Sequence, residues 1–299
     1  MTDTCLPLFL NPAAGRGCGR KNASAIQNLL TQQGVQTTLI QSNAIGEMEE
    51  QILAHASSRS TPILVAGGDG SVNEAINGIL RARSDIPFGL IPIGTGNDFA
   101  KSCQIPMKWD TAAMQLAKRI TTAVAPKRID AGRVNKKFFA NAVGIGFDAK
   151  INSIASEYRW PIGDLVYLVA VFRGIWDGVI TAPVKMTDGS NIYSGPITLV
   201  SVSNGAWVGG MFYIAPEAKT DDGKLDLIFA APMTRLRVLK LLPKIIQGTH
   251  VADPDITCKK IESLELIAER PLPCHVDGEI QPLQTEFRIE IHRNALSVI

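Results

Sequence analysis

The sequence lacks the residue patterns that build disulfide frameworks and zinc centres. Its five cysteines are scattered without a CxxC pair, and its four histidines are equally dispersed. We therefore expect neither kind of site. This use of cysteine is typical of a reducing, cytoplasmic compartment.

Long apolar runs and a strong net charge are also missing. The N-terminus lacks the basic and apolar segments of a signal peptide. The most apolar window, LVYLVAVF at 165–172, is too short to cross a bilayer. A net charge of +2 gives no support for bulk binding of nucleic acid. We expect a soluble protein with no transmembrane segment and no nucleic-acid partner.

What is present in residues 1–126 is an alternation of strand-like and helix-like patterns. Apolar runs such as LPLFLN and TPILVAGG are followed by segments with apolar residues at helical spacing. This order predicts an α/β domain with a doubly wound parallel sheet and helices on both faces. Ligands of such sheets bind beyond the carboxyl ends of the strands.

The pattern changes after Pro126. Strand-like runs separated by Gly, Asp, Asn and Pro follow, and helical patterns occur only near 163–178 and 234–247. This half is predicted to be a mainly antiparallel β-sandwich. We expect two domains, 1–126 and 127–299, and the last strand is free to return to the first domain.

Three glycine-bearing turns follow strands of the first domain: NPAAGRG at 11–17, GGDGSVNE at 67–74 and PIGTGND at 92–98. Parallel strands would place them along one edge, where backbone N–H groups and a helix dipole favour an anion. Asp69 would repel a phosphate there unless Mg²⁺ or water lies between them. The turns predict a nucleotide site, and purely structural βα turns are the alternative.

The known glycine-rich nucleotide motifs do not fit this chain. No stretch matches the Walker A pattern GxxxxGK[ST], and GRGCGR, GTGNDF and GIGFDA all miss the last glycine of GxGxxG. A nucleotide enzyme of another design is therefore required.

The second domain carries two acidic clusters. KTDDGKLDL at 219–227 has the density of carboxylates and carbonyls that suits a hard cation, although Asp-Gly is also the commonest hairpin signal. Both interpretations stay open. HVDGEI at 275–280 is a second Asp-Gly turn, and a lone glutamate after such a turn is more often solvated than catalytic.

The ordered set NPAAGRG, GGDGSVNEAINGI, IPIGTGNDFA, APEAKTDDGKLDL and VDGE resembles the bacterial soluble lipid kinases of the diacylglycerol kinase catalytic-domain superfamily. The resemblance covers nearly the whole length, whereas GGDG alone is shared with NAD kinases and phosphofructokinases. The resemblance implies that the first domain has a fold like that of NAD kinases and phosphofructokinases. It also implies ATP- and Mg²⁺-dependent transfer of the γ-phosphate to the hydroxyl of diacylglycerol or a related lipid, in phospholipid biosynthesis.

The resemblance also implies roles for individual residues. Those expected to bind ATP are Asn11, Ser42, Gly67, Gly68, Asp69, Gly70, Ser71, Val72, Asn73 and Thr95. Asp222 would bind Mg²⁺ together with the main-chain carbonyls of Lys219 and Lys224. Glu279 would accept the proton of the lipid hydroxyl, and Asp69 would act with it in catalysis through metal and water. Ser71 stands where threonine is more usual, and Ser42 is placed only by its distance from IGE.

Other functions and partners stay open at this point. The rivals are an NAD kinase-like enzyme with a soluble acceptor and a nucleotide-binding regulator without turnover. A lipid substrate would be met at the membrane surface, so peripheral membrane association is expected, and a homodimer is left open. Segment 163–178 suits a lipid pocket or a buried helix. Segment 234–247 suits a helix on an anionic membrane or a surface helix packed on the core.

Overall fold

A computed structural model describes residues 5–158 and 165–299. The contacts divide the chain into two compact units, Met1–Asp130 with Arg293–Ile299, and Ala131–His292. The strands are β1 Leu6–Leu10, β2 Thr37–Gln41, β3 Ile63–Gly67, β4 Pro87–Pro92, β5 Lys127–Val134, β6 Lys137–Phe139, β7 Ala142–Gly146, β8 Ala182–Thr187, β9 Asn191–Ile197, β10 Leu199–Ser203, β11 Leu225–Ala230, β12 Ile256–Ile261, β13 Ser263–Val276 and β14 Glu279–Val298. The helices are α1 Ala14–Gln32, α2 Glu47–Ser58, α3 Asp69–Arg81, α4 Asp98–Ser102, α5 Trp109–Thr121, α6 Phe147–Glu157, α7 Leu165–Asp177 and α8 Arg235–Gln247, with a 3₁₀ turn at Thr249–Ala252.

The first unit is built on a parallel sheet. β1 pairs in parallel with β2 and β3, and β3 pairs in parallel with β4. The last residues of β14, Ser297 and Val298, add a further parallel pairing to β4. Helix α1 packs against α5, and α2 packs against α3. The predicted α/β fold is confirmed.

The apolar runs of this sheet follow from its two covered faces. Every residue of β1 is buried, as expected for a strand with helices on both sides. Leu8 and Leu10 belong to a core cluster with residues of α1 and α5. Phe9 lies between them and faces the opposite side of the sheet, because side chains alternate along a strand.

The second unit is an antiparallel β-sandwich, as predicted. Its main sheet has the order β12-β11-β10-β7-β13-β14, the β8–β9 hairpin pairs with β13, and β6 pairs with β5. The core cluster of this unit draws buried side chains from these strands, with Phe139, Met186 and Phe287 fully enclosed.

Helix α6 contradicts the expectation that helical patterns occur only near 163–178 and 234–247. Gly146 ends β7 with a φ of 86° and lets the strand turn directly into α6 without a side-chain cap. The helix is short, and its buried residues Ile151, Ile154 and Ala155 follow a run that is typical of strands. No conventional start signal therefore marked it.

The two predicted helical segments form α7 and α8, and residues 163 and 164 of the first lie outside the described chain. Helix α7 buries Val166 and Ala170 on one face but leaves Trp176 exposed. Helix α8 buries Leu241 and Leu242, so its apolar side packs on the core. Within the described residues, no helix is both long and apolar enough to cross a membrane.

Candidate functional site

The glycine turns after β3 and β4 pack directly against each other in the first unit. A Cβ atom on Gly68 would lie 2.9 Å from the Cα of Gly94, and one on Gly94 would lie 2.5 Å from the Cα of Gly68. Neither contact can be relieved by turning a side chain, because both atoms belong to the backbone. These two glycines are therefore required by the approach of the turns to each other.

The NPAAGRG turn lies next to the turns after β3 and β4. Gly15, Arg16 and Gly17 all have left-handed backbone angles, with φ of 57°, 58° and 90°. A Cβ on Gly15 would lie 2.1 Å from the carbonyl oxygen of Ile93, just before Gly94. All three glycine-bearing turns thus lie together at the carboxyl end of the sheet.

Asn11 joins the first turn to the second. Its Oδ1 accepts the N–H of Ala13 at 2.9 Å, and its Nδ2 donates to the Oγ of Ser71 at 3.3 Å. The structure therefore brings two of the expected ATP-binding side chains into contact. The side chains of Val72 and Asn73 are buried within α3, whereas Thr95 is exposed on the turn after β4.

Asp69 has a structural bond that the sequence did not reveal. Its Oδ1 accepts the N–H of Phe99 at 3.1 Å, which links the start of α3 to the first turn of α4. The neighbouring Asn97 closes the turn after β4 by exchanging two hydrogen bonds of 3.0 Å with the backbone of Gly94. Asp69 therefore has a structural role, the bond to Phe99, beside the catalytic role expected from the sequence.

A cavity of about 310 Å³ opens beside Asn11 and Ser42. Its wall also contains Arg20, Ile45 and Glu74, which sequence reasoning did not single out. The volume lies at the lower end of the range for ligand pockets. Arg20 supplies a cation, and the 93% exposed Ile45 supplies an apolar surface of the kind on which a base can lie.

The VDGE motif of the second unit is a two-residue hairpin between β13 and β14. Val276 pairs with Glu279, and the turn residues Asp277 and Gly278 have φ of 48° and 86°. The Asp277 carboxylate accepts three backbone N–H groups at 2.9 Å, from Ala140, Asn141 and Ala142. This aspartate therefore fixes the turn to the start of β7, and the exposed Glu279 follows it.

Two further side chains, His275 and Asn152, bond to Gly278, and a third, Asp148, bonds to His275; sequence reasoning missed all three. The Nδ1 of His275 accepts the N–H of Gly278 at 3.3 Å, so its Nε2–H donates to Asp148 Oδ2 at 3.2 Å. Asn152 donates to the Gly278 carbonyl from the same face of α6. In the sequence, the stretches that could have pointed to these side chains were GIGFDA, which contains Asp148, and HVDGEI, which begins with His275.

An apolar cavity of about 70 Å³ lies among α6, α7 and α8. Phe147, Val171, Val238 and Leu242 line it, and Asp148 adds a carboxylate to its wall. Because Asp148 also bonds to His275, the cavity is connected to the turn before Glu279 by a chain of hydrogen bonds within this unit.

The Asp222 loop is arranged around a protein cation. Asp222 Oδ1 accepts the N–H of Lys224 at 3.0 Å, while its Oδ2 lies 2.8 Å from Lys260 Nζ. The same ammonium lies 3.2 Å from Asp226 Oδ2, and the Lys224 ammonium pairs with Glu262. Lys219 is exposed. Across 5–158 and 165–299, no group of three His, Cys, Asp or Glu side chains is placed to hold a metal.

Burial and charge shift the pKa values of this cluster. Burial raises the pKa of Asp226, with a smaller contribution from Asp222, and Lys260 opposes the rise. Burial lowers the pKa of Lys260, but its bonds to Asp222 and Asp226 outweigh that effect and raise it. In this arrangement Asp222 is paired with Lys260, so the expected Mg²⁺, held by Asp222 and the main-chain carbonyls of Lys219 and Lys224, would have to displace that ammonium group.

Comparison with known proteins agrees with the fold and the motifs. Residues 6–129 match the model of the diacylglycerol kinase catalytic domain, and residues 141–299 match that of the YegS C-terminal NAD kinase beta sandwich-like domain. A protein of Mycobacterium tuberculosis named diacylglycerol kinase is 28% identical over 292 residues, covering 93% of this chain and 92% of that protein. A Bacillus subtilis protein of the same name is 25% identical over 273 residues, covering 91% and 88%.

A solved structure from Bacillus anthracis str. Sterne, described as a "putative diacylglycerol kinase", superposes with a TM-score of 0.81. It is 27% identical and covers 99% of this chain and 96% of its own. Both halves of the chain thus match the two parts of one family in the same order. The chain belongs to the family whose members carry a diacylglycerol kinase catalytic domain followed by a YegS C-terminal NAD kinase beta sandwich-like domain.

Proposed function

We propose that this protein transfers the γ-phosphate of ATP to the hydroxyl of a membrane lipid, with diacylglycerol as the first candidate. The observation that carries the proposal lies in the second unit. An apolar cavity shares Asp148 with the hydrogen-bond chain that holds the turn before Glu279. With a volume of about 70 Å³ the cavity has room for only a few methylene groups, so it would take the part of an apolar acceptor nearest its hydroxyl and not the whole lipid.

ATP would bind at the joined turns of the first unit. The start of α3 carries the positive end of the helix dipole, and backbone N–H groups at such a position favour phosphate oxygens. Asn11 and Ser71 lie at this end of the sheet, and Ser42 and Arg20 line the adjacent cavity. We assign the phosphates to the turns and the nucleoside to the cavity.

Glu279 is proposed as the general base. An alcohol is a weak nucleophile at neutral pH, so a carboxylate that accepts its proton lowers the barrier to attack. The bonds to Asp277 and Gly278 fix the backbone immediately before Glu279, and so hold in place the point from which its side chain extends. A base that extends from a fixed backbone is more easily held in the geometry that proton transfer requires.

Mg²⁺ remains part of the proposal as the counter-ion of the ATP phosphates, where it would neutralise charge during transfer. No step is assigned to the Asp222 loop, because Lys260 already pairs with both Asp222 and Asp226. The loop is instead proposed to stabilise the end of the sandwich at β11 and β12.

The test is a transfer assay with purified protein, γ-labelled ATP and Mg²⁺. Diacylglycerol in detergent micelles is the main acceptor, a panel of other single-hydroxyl lipids is run beside it, and NAD is the soluble rival. We expect a labelled lipid product. The apparent affinity for the lipid should fall stepwise as its acyl chains are shortened, because each buried CH₂ contributes about 0.8 kcal/mol.

Each alternative has its own result in this assay. Efficient formation of NADP with no lipid product would show that the acceptor is the soluble NAD and not a lipid. ATP binding without transfer to any acceptor would support a regulator without turnover. Either result would reject the lipid-kinase proposal.

A further inference from the structure

Helix α7 presents aromatic side chains to solvent where a surface helix normally presents polar ones. Trp176 is 81% exposed and Phe172 is 51% exposed. They are four residues apart and therefore lie on one face of the helix. The opposite face, with Ala170 and Gly174, is already buried, so packing within this unit does not explain the exposed aromatic face.

Helix α8 continues this surface. The Arg235 guanidinium lies beside the end of α7, because a Cβ on Gly178 would be 3.8 Å from its Nη2. Leu236 is 71% exposed, and Lys240 is exposed one turn further along the same face. Exposed apolar and basic side chains are thus placed next to each other on two neighbouring helices.

The charge of this surface is positive. The carboxylates of Glu157 and Asp177 are both paired with Arg173. Among the residues that the structure describes, no carboxylate forms an ion pair with Arg235 or Lys240. On α8 the other cations, Arg237 and Lys244, are paired with Asp253 and Asp255, so Arg235 and Lys240 are the basic groups of this helix left for a partner.

We propose that Phe172, Trp176, Arg235, Leu236 and Lys240, called here the α7–α8 surface, dock the protein on an anionic lipid bilayer. Aromatic rings combined with cations are suited to the interface between headgroups and acyl chains. A second copy of the chain fits less well, since a two-fold contact through this surface would bring like charges together.

The inference rests on the proposed function and deepens it. The same two helices line the apolar cavity, through Val171 of α7 and Val238 of α8. A bilayer in contact with the α7–α8 surface would therefore present its acyl chains to the helices that enclose that cavity. Docking would supply the lipid acceptor without a transmembrane segment.

The test is sedimentation of the full chain with sucrose-loaded vesicles. Wild-type protein is expected to bind phosphatidylglycerol vesicles at least about ten-fold more tightly than phosphatidylcholine vesicles, and to lose most of this preference in 0.5 M salt. The double variant Phe172→Ser/Trp176→Ser should bind at least about ten-fold more weakly. Arg235→Gln/Lys240→Gln should bind phosphatidylglycerol vesicles about five-fold more weakly for each charge removed.

The matched control is Met114→Ser, which removes an exposed apolar side chain from α5 and should leave vesicle binding unchanged. All variants should keep wild-type turnover on a short-chain diacylglycerol dissolved as monomers, because the α7–α8 surface lies outside the residues proposed for chemistry. Equal vesicle binding by wild type and both double variants would overturn the inference.

Two further outcomes separate this inference from its rivals. Vesicle binding by wild type without phosphorylation of any lipid would reject the proposed function and leave the docking surface standing. A dimer in sedimentation velocity that Trp176→Ser converts to a monomer, with vesicle binding unaltered, would assign the surface to a second copy and overturn the inference.

Discussion

Gly68 and Gly94 touch through their backbones, and no side chain separates the turns that carry them. The contact holds two phosphate-binding candidates together at the end of the parallel sheet. Glycine is required at both positions by the 2.5–2.9 Å approach to the neighbouring Cα atom. The close approach of a phosphate would be a second reason for glycine at these two positions.

Gly94→Ala is expected to destabilise the protein by about 1–3 kcal/mol, the usual cost of adding a methyl group where there is no space. Urea unfolding measures this change. The matched variant Thr95→Ala alters an exposed side chain in the same turn and should leave the free energy of unfolding unchanged while weakening ATP binding. A fully stable Gly94→Ala variant would show that the two turns can move apart.

Glu279→Gln is expected to lower turnover by about 100-fold or more, because the amide keeps the shape of the side chain but cannot accept the proton. ATP affinity, measured by calorimetry, should persist. The control is Glu286→Gln, which changes an exposed glutamate of the same strand. Near-normal turnover in Glu279→Gln would remove this residue from the mechanism.

Asp69→Ala tests whether that carboxylate does more than hold Phe99. The variant should abolish transfer because the Asp69 carboxylate is proposed to lie beside the phosphates, while the loss of its bond to the Phe99 N–H costs only about 1 kcal/mol. Circular dichroism and the transfer assay together separate the two effects. If the variant is unfolded, Asp69 acts through structure.

Asp277→Ala should destabilise the second unit by more than about 3 kcal/mol, because three backbone N–H groups lose their shared acceptor. Urea unfolding measures the loss. Glu279→Ala, two residues later and exposed, is the control and should be within about 0.5 kcal/mol of wild type. Equal stability of the two variants would mean that water replaces the Asp277 carboxylate.

Lys260→Met should make stability depend more strongly on pH than in the wild-type protein. Burial raises the pKa of Asp226 in the folded state, and Lys260 opposes that rise, so the variant raises it further. An acid with a raised folded pKa binds a proton on folding and loses stability as pH increases through that pKa. The stability gap between wild type and variant should therefore be small near pH 4 and widen toward pH 8.

The control for this experiment is Lys185→Met, which removes an exposed lysine from β8. Its unfolding curve should follow that of wild type between pH 4 and pH 8. A gap for Lys260→Met that is constant with pH would show that Lys260 acts by packing and not by its charge.

The fold was largely predictable because its signals are local. Continuous apolar runs mark β1, β3 and β4, and the helices between them have regular apolar spacing. The Asp277-Gly278 turn was equally clear, since two residues with positive φ favour Asp-Gly. Helix α6 was missed because Gly146 starts it without a polar cap.

The contacts that define the candidate site depend on long-range register, which the sequence does not reveal. Asp226 and Lys260 meet because β11 and β12 pair in one particular register. His275 reaches Asp148 across 127 positions of the chain. The resemblance to lipid kinases implied Mg²⁺ at Asp222, which stays a prediction, whereas the ion pair between Lys260 and Asp222 depends on the register of β11 and β12 and could not be predicted.

Strand β14 has a consequence for how the protein is made. It begins at Glu279 in the sandwich, and its last residues belong to the first unit, where Ser297 and Val298 pair with β4. The N-terminal sheet therefore leaves the ribosome with β4 as an open edge, which is a template for wrong pairing. The first unit can complete its sheet only after the whole sandwich has been synthesised, so any factor that delays translation of the second half prolongs that exposure.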